Sequence, residues 1–300
     1  MFGQGASFPT VSNGYLLSFS RKANVTQPHR FIVTSLLDGK QQSVQFSLKQ
    51  PYSFIEDASI NASGHILVAA SYVRSSDGSP TNVFADLDPS AKESFLVNLG
   101  DYSPERICGG PDGTVWMLGQ RWASEGSVPV PDYSMLRSYT SAGAAKGSYF
   151  ERSTLGFSSA INFHKGERAT PAFLACGDAS VGAYIGVPGT GVGYWAEVQK
   201  ATGDLRLWTV PVLRDFRMTG IALLGSHAAY ASFVSASGER RLYRLGLNGN
   251  GSASWNPIAL SEDISVHFGG LVGRDGNQLV YFTANRTAGE VVLHWSSLQP

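Results

Sequence analysis

The stretch GGPDGTVWML, residues 109–118, decides the fold. A Pro-Asp-Gly turn at residues 111–113 precedes an apolar run from Val115 to Leu118. An acid, a glycine and a tryptophan this close together could belong to a carbohydrate or metal site, or to a tight turn that begins a β-strand. Glycine beside aspartate is typical of such turns, because glycine adopts positive φ without steric cost. Recurrence of the turn would separate the two interpretations.

Similar turns, each followed by a short apolar strand, recur along the chain at intervals of roughly fifty residues, which is typical of repeat folds. The turn glycines are Gly14, Gly64, Gly113, Gly166, Gly225 and Gly276. The fourth copy, KGERATPAFLAC with Gly166, is the weakest and is accepted because it falls in phase. The recurrence favours a hairpin turn at Asp112 and Gly113.

Each repeat contains about four short strand-like segments separated by Gly, Asn, Asp and Ser, the pattern of antiparallel hairpins. No segment has a sustained helical period, so we expect little helix. The pattern predicts an all-β chain, a single β-propeller domain over residues 1–300 with six four-stranded blades. Seven blades, or another all-β array such as a pair of β-sandwiches, are alternatives. The last repeat is one strand short, and we expect GQGASF, residues 3–8, to complete its blade and close the ring.

The charge balance argues against one class of partner. The chain has 23 basic and 23 acidic residues, and no basic run longer than ERR at residues 239–241. Proteins that bind nucleic acid carry a basic surface, so we expect no nucleic-acid partner. No segment reaches the roughly 18 apolar residues of a membrane helix, so we expect a soluble monomer without a membrane span.

The two cysteines, Cys108 and Cys176, could form one disulfide, but two buried free thiols are the ordinary expectation. They belong to no cluster typical of zinc. Charged residues make up 15% of the chain, which is low against about 25% in a typical soluble domain. The low charged fraction favours an extracytoplasmic setting, periplasmic or secreted, and we expect a bacterial protein. The N-terminus lacks the features of a signal peptide, so we expect the export signal to be absent from this chain.

The turns PDGTVWML, RDGNQLVYF and ASGHILVAA resemble those of NHL-type propellers and their relatives, the senescence-marker (gluconolactonase)-like and virginiamycin-lyase-like proteins. The resemblance implies a six-bladed propeller whose site lies in the central channel. The lactonase relatives hold calcium or another divalent ion there with Glu, Asn and Asp side chains from separate blades. The lyase relatives place a histidine near a metal.

The carboxylates that the resemblance offers as ligands are Glu56, Asp57, Glu105 and Asp263. No asparagine stands at a matching place, and Arg106 and Arg217 bring positive charge to the same region. A hard cation needs converging oxygen ligands without competing cations. His267 is the histidine that stands at the start of an inner strand. We therefore predict no metal and no other cofactor, with Ca²⁺ or another divalent ion as the alternative.

In a propeller, the loops between blades and the loops joining second to third strands emerge on one face, where a rigid scaffold positions them for function. Arg121 and Trp122 fall on that face as well. Arginine beside an aromatic side chain can clamp a carboxylate. The predicted ligand-binding residues are Glu56, Asp57, Glu105, Arg106, Arg121, Trp122, Arg217, Asp263 and His267.

Two functions fit these observations. The sequence shows no frame for a serine nucleophile, no phosphate-binding loop and no setting for a reactive cysteine. This favours a non-catalytic propeller domain that binds a small polar ligand, a glycan or a peptide or protein segment at the channel face. The alternative is a metal-dependent hydrolase of the lactonase or lyase kind, with its site in the central channel.

Overall fold

The turn at residues 110–114 forms the hairpin that the sequence predicts. Gly113 has a φ of +77°, and Asp112 Oδ1 accepts a 2.6 Å hydrogen bond from the Thr114 hydroxyl. The Trp116 indole N–H donates to the same hydroxyl oxygen at 2.9 Å, and the Trp116 ring stacks on Tyr149. Asp112 and Trp116 are thus engaged within their own sheet.

The structure, a computed structural model, describes residues 9–19, 28–48, 53–90, 93–125, 128–131, 135–150, 172–187, 190–225, 228–285 and 287–297, without the side chains of residues 93, 94 and 122–131. The chain divides into two compact units, Met1–Ala169 and Thr170–Pro300. Each unit is built of antiparallel β-sheets.

The described residues of the first unit form three sheets. The first sheet contains β1 (Thr10–Ser12), β2 (Tyr15–Phe19), β3 (His29–Ser35) and β4 (Gln41–Phe46). The second contains β5 (Phe54–Ile60), β6 (Ile66–Val73), β7 (Pro80–Asp88) and β8 (Glu93–Asn98). The third contains β9 (Tyr102–Gly109), β10 (Val115–Glu125), β12 (Leu136–Tyr139) and β13 (Ala145–Tyr149), and β11 (Val128–Pro131) folds back on the end of β10.

The second unit repeats the arrangement. Its first sheet contains β14 (Ala172–Cys176), β15 (Ser180–Val187), β16 (Val192–Gln199) and β17 (Leu205–Pro211). Its second contains β18 (Phe216–Leu224), β19 (Ala228–Ser235), β20 (Arg240–Leu247) and β21 (Ala253–Ile258). A helix, α1 (Glu262–His267), then leads to β22 (Phe268–Asp275), β23 (Gln278–Asn285) and β24 (Glu290–Ser296). Across the described ranges α1 is the one helix, which confirms the expectation of little helix.

Strand β6 shows how neighbouring sheets pack. Its residues 66–70 are all fully buried. Ile66, Val68 and Ala70 join a core with β2 and β3, whereas Leu67 and Ala69 join a core with β9 and β10. Because successive side chains of a strand point to opposite faces, the sheet is covered on both faces.

The middle sheet of the second unit is covered in the same way. Ala229 and Ala231 of β19 pack in a core with Trp195 of the preceding sheet, and Tyr230 packs in a core with Leu279 of the following sheet. Repeated four-stranded antiparallel sheets that bury both faces against neighbours are the blades of a β-propeller. The predicted fold class is confirmed, while the number of blades and the single domain stay predictions.

The turn glycines behave as predicted in five of the six repeats. Gly14, Gly64, Gly113, Gly225 and Gly276 have φ values of +78°, +80°, +77°, +57° and +55°. The predicted phase of the fourth repeat is wrong. AFLAC is the first strand of its hairpin, β14, and the turn lies at residues 177–179, where the Gly177 N–H donates to the Ser180 carbonyl. Gly166 lies outside the described residues, as does the GQGASF segment that was expected to close the ring.

The state of the cysteines differs from the ordinary expectation. Neither Cys108 nor Cys176 is a free thiol, because both are disulfide-bonded. The expectation of two free thiols is therefore wrong. A search of the described helices for a segment long and apolar enough to cross a membrane finds none.

The two ends of each sheet carry different connections. The turns that join first to second strands and third to fourth strands lie at one end, called the hairpin end below. The turns that join second to third strands, and the connections from one sheet to the next, lie at the other, called the connection end. The predicted ligand-binding face corresponds to the connection end.

Candidate functional site

The first strand of several sheets carries a β-bulge at the same place. The register shifts identify the bulged residues as Glu56, Glu105, Thr219 and Gly269. Bulges re-aim side chains and are frequent beside functional sites. Two of the predicted residues, Glu56 and Glu105, thus occupy a structurally special position near the connection end.

Side-chain oxygens next to these bulges join neighbouring sheets. Asp57 Oδ2 of β5 accepts a 3.1 Å hydrogen bond from the backbone N–H of Ile107 in β9. Ser232 Oγ of β19 accepts the backbone N–H of Leu271 in β22, also at 3.1 Å. Ile107 and Leu271 each stand two residues after a bulge, so the donating amides correspond in the two units, although Asp57 lies on a first strand and Ser232 on a second strand.

The structure therefore brings four predicted residues of the first unit onto neighbouring strands, with partners of their own. Glu56 Oε1 accepts a 3.0 Å hydrogen bond from the Ser71 hydroxyl. Arg106 Nη1 donates to the backbone carbonyl of Glu105 at 2.7 Å. These contacts, together with the Asp57 contact to β9, hold the side chains to the sheets.

Arg121 and Trp122 lie at the far end of β10. Arg121 Nε is 2.7 Å from Asp101 Oδ2, and both side chains are about half exposed. Trp122 pairs through its backbone with Pro131 of β11, and its side chain lies outside the described part of the structure. The predicted clamp of an arginine against Trp122 stays a prediction.

The remaining predicted residues belong to the second unit. Arg217 is exposed in β18, and Asp263 and His267 are exposed on α1. His267 is the last residue of that helix, directly before β22. Within the described ranges, no three His, Cys, Asp or Glu side chains are grouped so that they could hold a metal ion.

An open cavity of about 680 Å³ lies at the connection end of the second unit. Its lining comes from the β19–β20 turn, from β20, from the end of β21 and from α1. The apolar part of the lining is Leu242, Pro257, Ile258, Ala259, Leu260, Val266 and Phe268. Val266 is 71% exposed. The cavity therefore has the size and the apolar character of a ligand pocket.

The polar part of the lining carries one acid and two arginines. Arg241 Nε donates to Glu239 Oε1 at 2.6 Å, and this hydrogen bond raises the pKa of Arg241 above its ordinary value. The Arg241 guanidinium lies over the Phe216 ring, 5.1 Å from its centroid. Arg240 Nη1 donates to the carbonyl of the bulged Gly269. The two arginines and Glu239 leave a formal excess of one positive charge.

The predicted ligand-binding face stays a prediction, and the two arginines of this cavity are not among the predicted residues. They belong to ERR at residues 239–241, which served only as an argument against nucleic acid. The contact of Arg241 with the Phe216 ring was not among the predicted arginine–aromatic pairs. The available signal was the position of the ERR run in a turn between second and third strands.

Comparisons with known proteins give likeness in fold alone. No protein-family profile and no curated protein sequence matches the chain. The β-propeller domain of the Trilobed protease from Pyrococcus furiosus is similar over 99% of this chain and 95% of that chain, at 10% identity and a TM-score of 0.47. Oligogalacturonate lyase in complex with manganese is similar over 99% of this chain and 78% of that chain, at 11% identity and a TM-score of 0.49.

The acylaminoacyl peptidase from Pyrococcus horikoshii is similar over 97% of this chain, at 10% identity and a TM-score of 0.47. This chain spans about half the length of that peptidase, 51%. Likeness at this level assigns no activity and no ligand. The sheets and the cavity define the class, an all-β protein of the β-propeller type with an open pocket at the connection end. Membership of the NHL-type, gluconolactonase-like or virginiamycin-lyase-like families stays a prediction.

Proposed function

We propose that this chain is a non-catalytic β-propeller binding domain, and that the cavity of the second unit holds a ligand that combines an apolar group with a carboxylate. The observation that carries the proposal is the pair of arginines, Arg240 and Arg241, in the lining of a cavity whose other walls are mainly apolar. The Arg241 guanidinium is held by Glu239 and by the Phe216 ring. An aromatic ring fixes the plane of a guanidinium, and a fixed guanidinium matches the two oxygens of a carboxylate.

The apolar lining supports the other half of the ligand. Burying an apolar side chain gains roughly 25 cal/mol for each Å² removed from water. Val266 and the wall formed by residues 257–260 offer such a surface beside the arginines. The excess positive charge of the lining favours one negative charge on the ligand. A peptide that ends in an apolar residue, or a small carboxylic acid with an apolar body, has both features.

The cysteines support a proposed location. Disulfides persist in oxidising compartments and are rare in the bacterial cytoplasm. Because neither cysteine is a free thiol, we infer that the chain works outside the cytoplasm, in agreement with the expectation from its low charged fraction.

Saturation-transfer NMR with N-acetylphenylalanine and its uncharged amide tests the proposed ligand. We expect the acid to bind and the amide to bind at least about tenfold more weakly, because a hydrogen bond to a charged group is worth about 1.5–3 kcal/mol. Arg241→Gln should weaken the binding of the acid by a similar factor and leave the binding of the amide unchanged. Arg206→Gln, at an exposed arginine of β17, is the matched control and should bind both as the unmodified protein does.

Two outcomes would count against the proposal. The first is equal binding of the acid and the amide, since it would remove the role of the carboxylate. The second is unchanged binding of the acid by Arg241→Gln, since it would place the ligand elsewhere. The lactonase-like alternative stays a prediction, and elemental analysis of the purified protein for a stoichiometric divalent ion would test it.

A further inference from the structure

A second cavity, of about 360 Å³, lies at the hairpin end of the first unit. The side chains used below are Lys40, Gln42, Ser63, His65 and Asp88, all in its lining. Ligand pockets in proteins range from about 300 to 1,000 Å³, so this cavity suits a small molecule. None of these residues belongs to the predicted ligand-binding set, and the cavity is at the opposite end of the sheets.

A buried carboxylate orients the imidazole that lines this cavity. His65 Nδ1 is 2.8 Å from Asp86 Oδ1, and the Asp86 side chain is only 8% exposed. An ionised carboxylate only accepts hydrogen bonds, so Nδ1 carries the proton in this contact. The ring is thereby fixed with Nε2 on its other side. His65 Nε2 lies 3.7 Å from Asp88 Oδ2, which is longer than a hydrogen bond.

The charged groups of the lining already have opposite charges or donors beside them. Lys40 Nζ is 2.7 Å from Asp38 Oδ2. Asp88 Oδ1 accepts hydrogen bonds from the backbone N–H and the hydroxyl of Ser90, at 2.8 and 2.7 Å. A ligand with a net charge would have to compete with these contacts, whereas a neutral polar ligand adds to them.

With the proton on Nδ1, His65 Nε2 is a hydrogen-bond acceptor, as is Asp88 Oδ2. A single hydroxyl has one proton and can donate to only one of them, whereas two neighbouring hydroxyl groups can donate to one each. A carboxylate on the ligand could donate to neither. Lys40, Gln42 and Ser63 add further donors and acceptors around the cavity. A molecule with several hydroxyl groups can form hydrogen bonds with all of these groups.

We propose that this cavity binds a neutral polyhydroxylated molecule of monosaccharide size, with two neighbouring hydroxyl groups that donate hydrogen bonds to His65 and Asp88. The site is independent of the Arg241 cavity, and it adds a second ligand to the protein. Binding here needs no chemical step and no cofactor.

Saturation-transfer NMR tests this site with D-glucose, D-galactose, D-mannose and myo-inositol as separate probes. We expect at least one probe to bind the full chain. Asp88→Asn should weaken the binding of that probe about tenfold, the effect of a hydrogen bond to a charged group. His65→Gln should weaken it about two- to tenfold, the effect of a hydrogen bond between neutral groups. Asp204→Asn changes an exposed turn carboxylate, and it should leave binding unchanged.

The proposal is overturned if none of the four probes binds, or if the probe that binds does so equally well in Asp88→Asn. It is also overturned if choline or acetate, as singly charged probes, binds this cavity more tightly than every neutral probe. Thermal unfolding of each variant checks the fold. Should His65→Gln fail to fold, Asp88→Asn decides alone, because the Asp88 side chain is 29% exposed and its amide keeps the same shape.

Discussion

Replacing Asp57 with alanine tests how the sheets of the first unit are joined. The change removes the oxygen that accepts the Ile107 N–H at 3.1 Å. Ile107 is 3% exposed, so water does not replace the lost acceptor. A buried donor left without a partner costs about 1–3 kcal/mol, and a hydrogen bond to a charged group is worth about 1.5–3 kcal/mol. We expect the free energy of unfolding to fall by about 2 kcal/mol.

The global effect should appear in thermal unfolding as a decrease of about 4–8 °C in the midpoint for a domain of this size. The local effect should appear in amide hydrogen exchange. The Ile107 amide should exchange about 30-fold faster, the factor that corresponds to 2 kcal/mol. Asp57→Asn keeps a carbonyl oxygen at the same place, so this variant should lose about half as much free energy of unfolding as Asp57→Ala.

Asp101→Ala is the matched control for this experiment. It removes another carboxylate of the first unit, but one that is about half exposed and paired with Arg121 at the surface. Exposed pairs contribute about 0–1 kcal/mol. The reasoning is refuted if Asp57→Ala leaves the Ile107 exchange rate unchanged, or if it destabilises the protein no more than Asp101→Ala does.

Three further predictions concern other parts of the chain. Arg274 donates two hydrogen bonds to Asp178, at 2.9 and 2.6 Å, and they lower the pKa of that carboxyl. The stability that this ion pair contributes is therefore present above the pKa of Asp178 in the unfolded chain, and it is lost as pH falls through the pKa of the folded protein. In Asp178→Asn, the free energy of unfolding measured with urea should therefore fall less steeply below about pH 4. The difference should be at most about 1 kcal/mol, because the carboxylate is half exposed. Gly113→Ala should lower the free energy of unfolding, measured with urea, by about 1–2 kcal/mol, since alanine disfavours positive φ. Gly249 lies in equally open space but has no positive φ, so Gly249→Ala should lower it by less. Thiol titration of the denatured protein should find no free thiol before reduction and two after it, and a free thiol before reduction would contradict the disulfide state.

The turns could be predicted from the sequence because their chemistry is local. Asp112 and Gly113 set both the side-chain contact and the positive φ of their hairpin. The predicted turn of the fourth repeat was wrong for a reason that is not local. A Cβ at Gly177 would meet Leu223 Cδ2 at 2.9 Å, so this glycine serves a close approach between sheets. Its glycine therefore stands at the start of the turn, before Asp178, and not after a turn residue as Gly113 does after Asp112.

The site could be predicted only in part, because it depends on the pairing of distant strands. Asp57 was predicted to contact a ligand. The sequence alone does not show that its neighbour across the sheets is the backbone of Ile107. The pairing of Ile66 with Leu87 brings His65 close to Asp86 and Asp88. Contacts of this kind follow from register, and hydrophobic periodicity alone does not fix the register.

The double packing of β6 limits how the length of this chain can change. Ile66, Val68 and Ala70 serve one core and Leu67 and Ala69 another. Deleting one residue within the strand would exchange the two sets, because side chains alternate between faces. Both cores would then receive the wrong side chains at once. Insertions and deletions should therefore be tolerated at exposed turns such as residues 74–79, so new binding loops can arise there while the strands keep their lengths.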